Sequence, residues 1–145
     1  MDEFREPKYK YLTPELWSLL RPGLAELETS GKLVPPSYLH PDRIGYGALG
    51  LTPVAYKDVQ TYYPEFRNIP WREVITPTSP YYEPAAHSYG DLLLWHFLHS
   101  PKLDIPKMFD TLQKIWNLGP TGYKRGRKIP ASRKIRAQEY LRRIR

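Results

Sequence analysis

The chain has 145 residues, enough for one domain around one core. Its 41% hydrophobic and 14% aromatic content excludes a disordered chain, and the lack of any cysteine excludes a disulfide framework or a thiolate site. The net charge of +7 is uneven: residues 124–145 hold ten Lys/Arg against Glu139 alone (+9), and the rest holds twelve bases against fourteen acids (−2). Such a C-terminal arm suits nucleic acid, an anionic membrane surface or an anionic wall polymer, and charge by itself does not choose among them.

Residues 1–12 read as a polar lead-in without the apolar segment of a signal peptide. Thr13-Pro14-Glu15 is a helix start: a hydroxyl N-cap, proline in the first turn, and an acid at the positive end of the dipole. Leu16, Trp17, Leu19 and Leu20 give the helix an apolar face. Pro22-Gly23 is expected to bend or restart it, and Gly31 to stop it just after Glu28. Residues 32–51, with two adjacent prolines and three glycines, read as a long ordered loop of the kind that carries function. Thr52-Pro53 opens a short helix through Ala55, Val59 and Tyr62, and Pro64 ends it.

Residues 64–84 form a second loop, pinned to the core by Trp71 and Val74. Pro84 is expected to open the most apolar and most central helix, roughly 84–99, ended by Pro101. Its longest apolar run, Leu92–Trp95, is too short to span a bilayer. Pro106 starts a helix with Met108, Phe109, Leu112, Ile115 and Trp116 on one face, terminated by Asn117-Leu118-Gly119-Pro120. A basic loop over 121–131 follows. The last helix, about 132–144, is expected to turn Ile135, Leu141 and Ile144 inward and its Arg/Lys outward. No segment alternates as a strand, so the class is all-α, with five or six helices, long ordered loops and one domain over 13–145.

Glu28 is a carboxyl at the end of an apolar helix, before a loop dense in glycine and aromatic residues. Most such residues simply face water. On the floor of a cleft, desolvation would raise its pKa and fit it to act as a general acid near neutral pH. Gly45-Tyr46-Gly47-Ala48-Leu49-Gly50-Leu51 interleaves glycine with Tyr and Leu, unlike a flexible linker. Its main-chain groups would then be free for sugar hydroxyls and N-acetyl groups. It lacks the strand that precedes a dinucleotide fingerprint. Of His40, His87, His96 and His99, the last two are i, i+3 on an apolar helix with no Cys, Asp or Glu at matching spacing, so neither a metal nor another cofactor is expected.

Together these stretches resemble the lytic transglycosylase family, whose catalytic domain has the goose-type lysozyme-like fold. Glu28-Thr29-Ser30-Gly31 is similar to the family's E-S-G turn, and Gly47-Ala48-Leu49-Gly50-Leu51 to its G-A-x-G-L segment. Ile115-Trp116-Asn117-Leu118-Gly119-Pro120 resembles its A-Y-N-A-G-P motif. Lys124–Pro130 and Gln138-Glu139-Tyr140-Leu141 resemble its closing basic and E-T-R-x-Y-V segments. The sequence departs where the family continues G-L-M-Q, because Leu51 runs into Thr52-Pro53, and where Trp116 replaces a tyrosine.

The resemblance implies cleavage of peptidoglycan between N-acetylmuramic acid and N-acetylglucosamine. Glu28 would act as acid and then base and close a 1,6-anhydro ring, so the paired carboxylates of most glycosidases are not required. Ser30, Tyr46, Gly47, Ala48, Leu49, Trp116, Asn117 and Tyr140 would line the substrate groove, with Tyr140 orienting Glu28. The partner implied is the glycan strand rather than nucleic acid, and the protein is expected to be a monomer. It would work in the cell wall, periplasm or outside the cell, and a phage-borne delivery would reconcile that with the absent leader. Two rival readings stay open. One is an inverting muramidase using Asp42 or Asp58 to hold a water; the other is a non-enzymatic module that binds through the basic arm.

Overall fold

The computed structural model describes residues 8–98 and 104–144 and is helical, with no strand among the described residues. The order is α1 (Pro14–Thr29), α2 (Pro53–Tyr62), a 3-10 turn (Pro64–Phe66), α3 (Trp71–Val74), α4 (Tyr82–Leu98), α5 (Ile105–Lys124) and α6 (Ala131–Arg143). Each predicted cap that falls here is made. The hydroxyl of Thr13 accepts from Leu16 N–H and that of Thr52 from Ala55 N–H, and in both helices proline follows directly. Asp104 caps α5 by accepting from Lys107 N–H at 3.0 Å.

α4 is the hub. Every residue from Ala85 to Leu94 is buried, and the helix packs against α2 and α5. It begins two residues before Pro84, since proline is tolerated within a first turn. Its expected end at Pro101, and His99, lie outside the described residues. α6 packs across α1 and α5.

Several expectations are corrected. Pro22-Gly23 does not interrupt α1, which runs unbroken to Thr29. Gly23 serves packing instead: a Cβ there would lie 2.5 Å from the Tyr140 ring, so its absence lets α6 settle on α1. The helix stops one residue earlier than Gly31, at Ser30, which takes a left-handed φ of 55°. The basic loop expected over 121–131 is shorter, because one helical turn follows Gly119, whose φ of 75° and ψ of 159° break α5. The 1–12 lead-in ends in a docked turn: Leu12 is fully buried, and Asp91 of α4 accepts from the N–H groups of Tyr11 and Leu12 at 3.0 and 2.9 Å.

The largest correction concerns α6. Ile135 is 55% exposed, and the inward stripe is Arg133, Ala137 and Tyr140. Those positions are i, i+4, i+7, a regular helical face whose first member is charged. Of the three residues expected inward, Leu141 and Ile144 do pack against the core, partly buried, and only Ile135 does not.

Candidate functional site

Glu28 stands at the last turn of α1, where the loop 32–51 folds back over the helix end. The loop is built, not loose. Tyr46 and Leu51 exchange both main-chain hydrogen bonds at 2.9 Å, and Gly47 N–H donates to Tyr38 O at 2.8 Å. Three side chains from elsewhere, and His40 from within the loop, staple it. The Tyr82 hydroxyl donates to Tyr46 O (2.6 Å) and accepts from Leu49 N–H (3.0 Å). The Trp116 indole N–H donates to Leu49 O at 2.7 Å. His40 Nε2 donates to Gly47 O at 2.6 Å, and Thr29 Oγ1 to Ala48 O at 3.1 Å.

This overturns one expectation. The N–H and C=O groups of Tyr46, Gly47, Leu49 and Leu51 all have partners within the protein, so they are not available to a sugar. The glycines have another use. Gly47 has φ +75°, and a Cβ there would strike the Tyr82 ring at 2.5 Å. Gly50 has φ +64°, and a Cβ there would lie 2.8 Å from Glu28 Oε1. Only glycine lets the main chain pass this close to the carboxyl.

The other carboxyl oxygen is held by a residue missing from the sequence reading. Arg133 Nη1 donates to Glu28 Oε2 at 2.6 Å, with the two side chains only 8% and 15% exposed. Arg133 is itself fixed by Gln113 of α5: Nε donates to Gln113 Oε1 and Nη2 to Gln113 O, each at 2.9 Å. Tyr140, expected to orient Glu28, instead donates its hydroxyl to Leu19 O. The ordering role therefore belongs to Arg133, about two turns earlier on the same face of α6. Burial pushes the Glu28 carboxyl above its ordinary value, and the Arg133 guanidinium pulls it part of the way back.

Glu28 lines a cavity of about 360 Å³, bounded by Gly50, Leu51 and Thr52, the first turn of α2, Tyr89, and the run Trp116–Pro120. Of the sequence-predicted site residues the cavity brings together Glu28, Trp116 and Asn117. Tyr46, Gly47, Ala48 and Leu49 stand behind its wall as scaffold, Ser30 is exposed at the helix end, and Tyr140 lies between α6 and α1. Where the family would place Met-Gln, Thr52 turns directly into α2, and the exposed Val54 forms the rim.

Asp42 and Asp58 also line the cavity. They differ in state. Asp42 accepts from the N–H groups of Ile44 and Gly45 at 2.8 and 3.1 Å, and its pKa is lowered despite partial desolvation. Burial raises that of Asp58, with the positive charge of His96 opposing it. Among the described residues no three His, Cys, Asp or Glu side chains are grouped so as to hold a metal ion, and no helix is long and apolar enough to cross a membrane. Comparison with protein-family models, with curated proteins and with solved structures finds no match.

Proposed function

We propose that this protein cleaves peptidoglycan strands as a lytic transglycosylase, on a helical domain of the goose-type lysozyme-like kind. The observation that carries the reading is Glu28: a desolvated carboxyl on the wall of an open cavity, with one oxygen anchored and the other beside a glycine that leaves it room. In the cleaving step the protonated Glu28 gives its proton to the glycosidic oxygen, and the bond from that oxygen to C1 of the muramic sugar breaks. The carboxylate left behind is stabilised by Arg133. It takes the proton from the sugar's own 6-hydroxyl as that oxygen bonds to C1, which closes the 1,6-anhydro ring and restores the acid. Asn117, exposed on the cavity rim, is suited to an N-acetyl group through its amide. The site of action is the cell wall, reached by a phage-borne or other route.

Asp42 and Asp58 on the same cavity favour one second reading, an inverting muramidase in which a carboxylate holds a water. The two are told apart by mass spectrometry of digested wall. Anhydro-ended fragments are expected, and fragments with only reducing ends would show hydrolysis. Glu28→Gln should lower the digestion rate by about 10²–10⁴-fold, the usual worth of a general acid. Equal clearing by both proteins would remove Glu28 from the chemistry. No clearing by the wild type, together with salt-sensitive DNA binding, would favour the non-enzymatic basic module instead.

A further inference from the structure

The cavity at Glu28 has a neighbour. It shares Asp58, Tyr89 and Pro120 with a second hollow of about 220 Å³, which Tyr62 and His96 also line. That hollow shares Phe97 and Lys124 with a third, of about 710 Å³. The three adjoin in a row, a trough of separate hollows with shared walls that passes Pro120 and the last turn of α5.

The far end of the trough is basic. Lys114, Lys124, Arg127, Lys128 and Lys134 line it, with Phe97 and Tyr123, and no carboxylate does. Lys114 is paired with Asp110 at 2.8 Å. Among the described residues no carboxylate pairs with the other four. Three other cations of α6, the helix that also carries Lys134, contrast with them. Arg133 is held by Glu28, Arg136 donates to Glu26 O, and Arg143 pairs with Glu26 at 2.6 Å. The basic arm therefore divides into a part that grips α1 and a part that faces the trough. Like charges gathered on one concave, partly apolar surface repel one another and focus a positive potential there, and a bound anion relieves both.

The chemistry of the walls narrows the anion. Only one of the four unpaired cations is a guanidinium, which limits the forked recognition that phosphates favour. The ammonium of Lys124 sits 5.8 Å from the centre of the Phe97 ring, and Phe97 meets Tyr123 edge-on at 88°, so the rings are poor platforms for stacked bases. Scattered ammonium groups beside Phe97, Tyr123 and Ile129 suit separate carboxylates on a partly apolar chain.

We propose that this basic end of the trough binds an acidic peptide branch of the same polymer whose sugar backbone lies at Glu28. The proposal rests on the glycan reading of the Glu28 cavity. Its test uses the full chain carrying Glu28→Gln, so that strands are bound without being cut. Kd is measured for glycan strands bearing their peptides and for the same strands stripped by an amidase. Peptide-bearing strands should bind about tenfold tighter or more at about 50 mM salt, an advantage that falls steeply by about 200 mM. Adding Lys124→Gln, Arg127→Gln and Lys128→Gln should erase the difference; all three side chains are exposed, so the fold should survive. Equal affinity for both kinds of strand, or a preference that survives the three substitutions, overturns the proposal and leaves the glycan reading standing. Binding to neither strand overturns both. Tighter binding to single-stranded DNA than to peptide-bearing strands overturns the proposal in favour of a nucleic-acid surface.

Discussion

At the scale of single residues, the pair Glu28–Arg133 sets what the site can do. An acid must be protonated to give a proton, and its carboxylate must not be so destabilised that the proton never leaves. Burial supplies the first condition and the guanidinium the second. Arg133→Met removes the influence that lowers the Glu28 pKa, so the protonated form should persist to higher pH. The alkaline limb of the digestion rate should then move upward, while Arg133→Lys, which keeps the charge, should leave it nearer the wild-type position. A limb that stays in place in Arg133→Met would make the arginine purely structural. The same variant strands a buried carboxylate and should lose about 3 kcal/mol of stability in urea unfolding near neutral pH.

At the scale of elements, the loop 38–51 matters because it is stapled from three helices. Tyr82 of α4 carries two of its bonds through one hydroxyl, and burial pushes that phenol's pKa well up, which keeps it a neutral donor. Tyr82→Phe leaves the buried Leu49 N–H without its partner and should cost about 1–3 kcal/mol. It should also raise KM for wall digestion more than it lowers kcat, because the loop forms the wall and not the acid; steady-state kinetics on solubilised strands checks this. The sequence shows the long helices well, because their punctuation is chemical: Thr-Pro twice, and Gly119 where α5 breaks; it misses α3, inside the stretch read as a loop over 64–84, and the Asp104 cap. It points to Glu28, Trp116 and Asn117, which line one cavity, because a short motif holds each. It hides Arg133 for a physical reason. In α6 charged residues crowd every face, and only the spacing of Arg133 with Ala137 and Tyr140 distinguishes the buried one from those in water. It also hides the loop's staples, since Tyr82 and Leu49 meet across 33 positions with no local signature.

At the scale of the whole molecule, the N-terminal turn is tied to the hub by buried polar groups. His87 Nε2 donates to Leu12 O at 2.7 Å, and its ring is stacked between Tyr9 and Trp17. Burial lowers the His87 pKa below 6.5, while its bond to Leu12 and the charges of Asp91 and Glu83 oppose that. The unfolded chain therefore takes up this proton first as the pH falls. The stability due to neutral His87 is complete above about 6.5 and declines as the pH drops through the lower folded value. His87→Gln keeps a donor for Leu12 without the titration. Between pH 7.5 and 5.5 its urea midpoint should fall less than that of the wild type. Equal slopes would show that His87 does not titrate differently in the two states.

The reach of the Glu28–Arg133 contact has a further meaning. Its partners are 105 positions apart, and α6 is the last helix among the described residues. As the chain leaves the ribosome, Glu28, the stapled loop and every cavity wall emerge before the residue that holds the acid. For an enzyme of the kind proposed, nascent chains and chains that stop before α6 therefore carry the catalytic carboxyl without its guanidinium. Competence arrives only once α6 has been made, a timing built into the order of these elements.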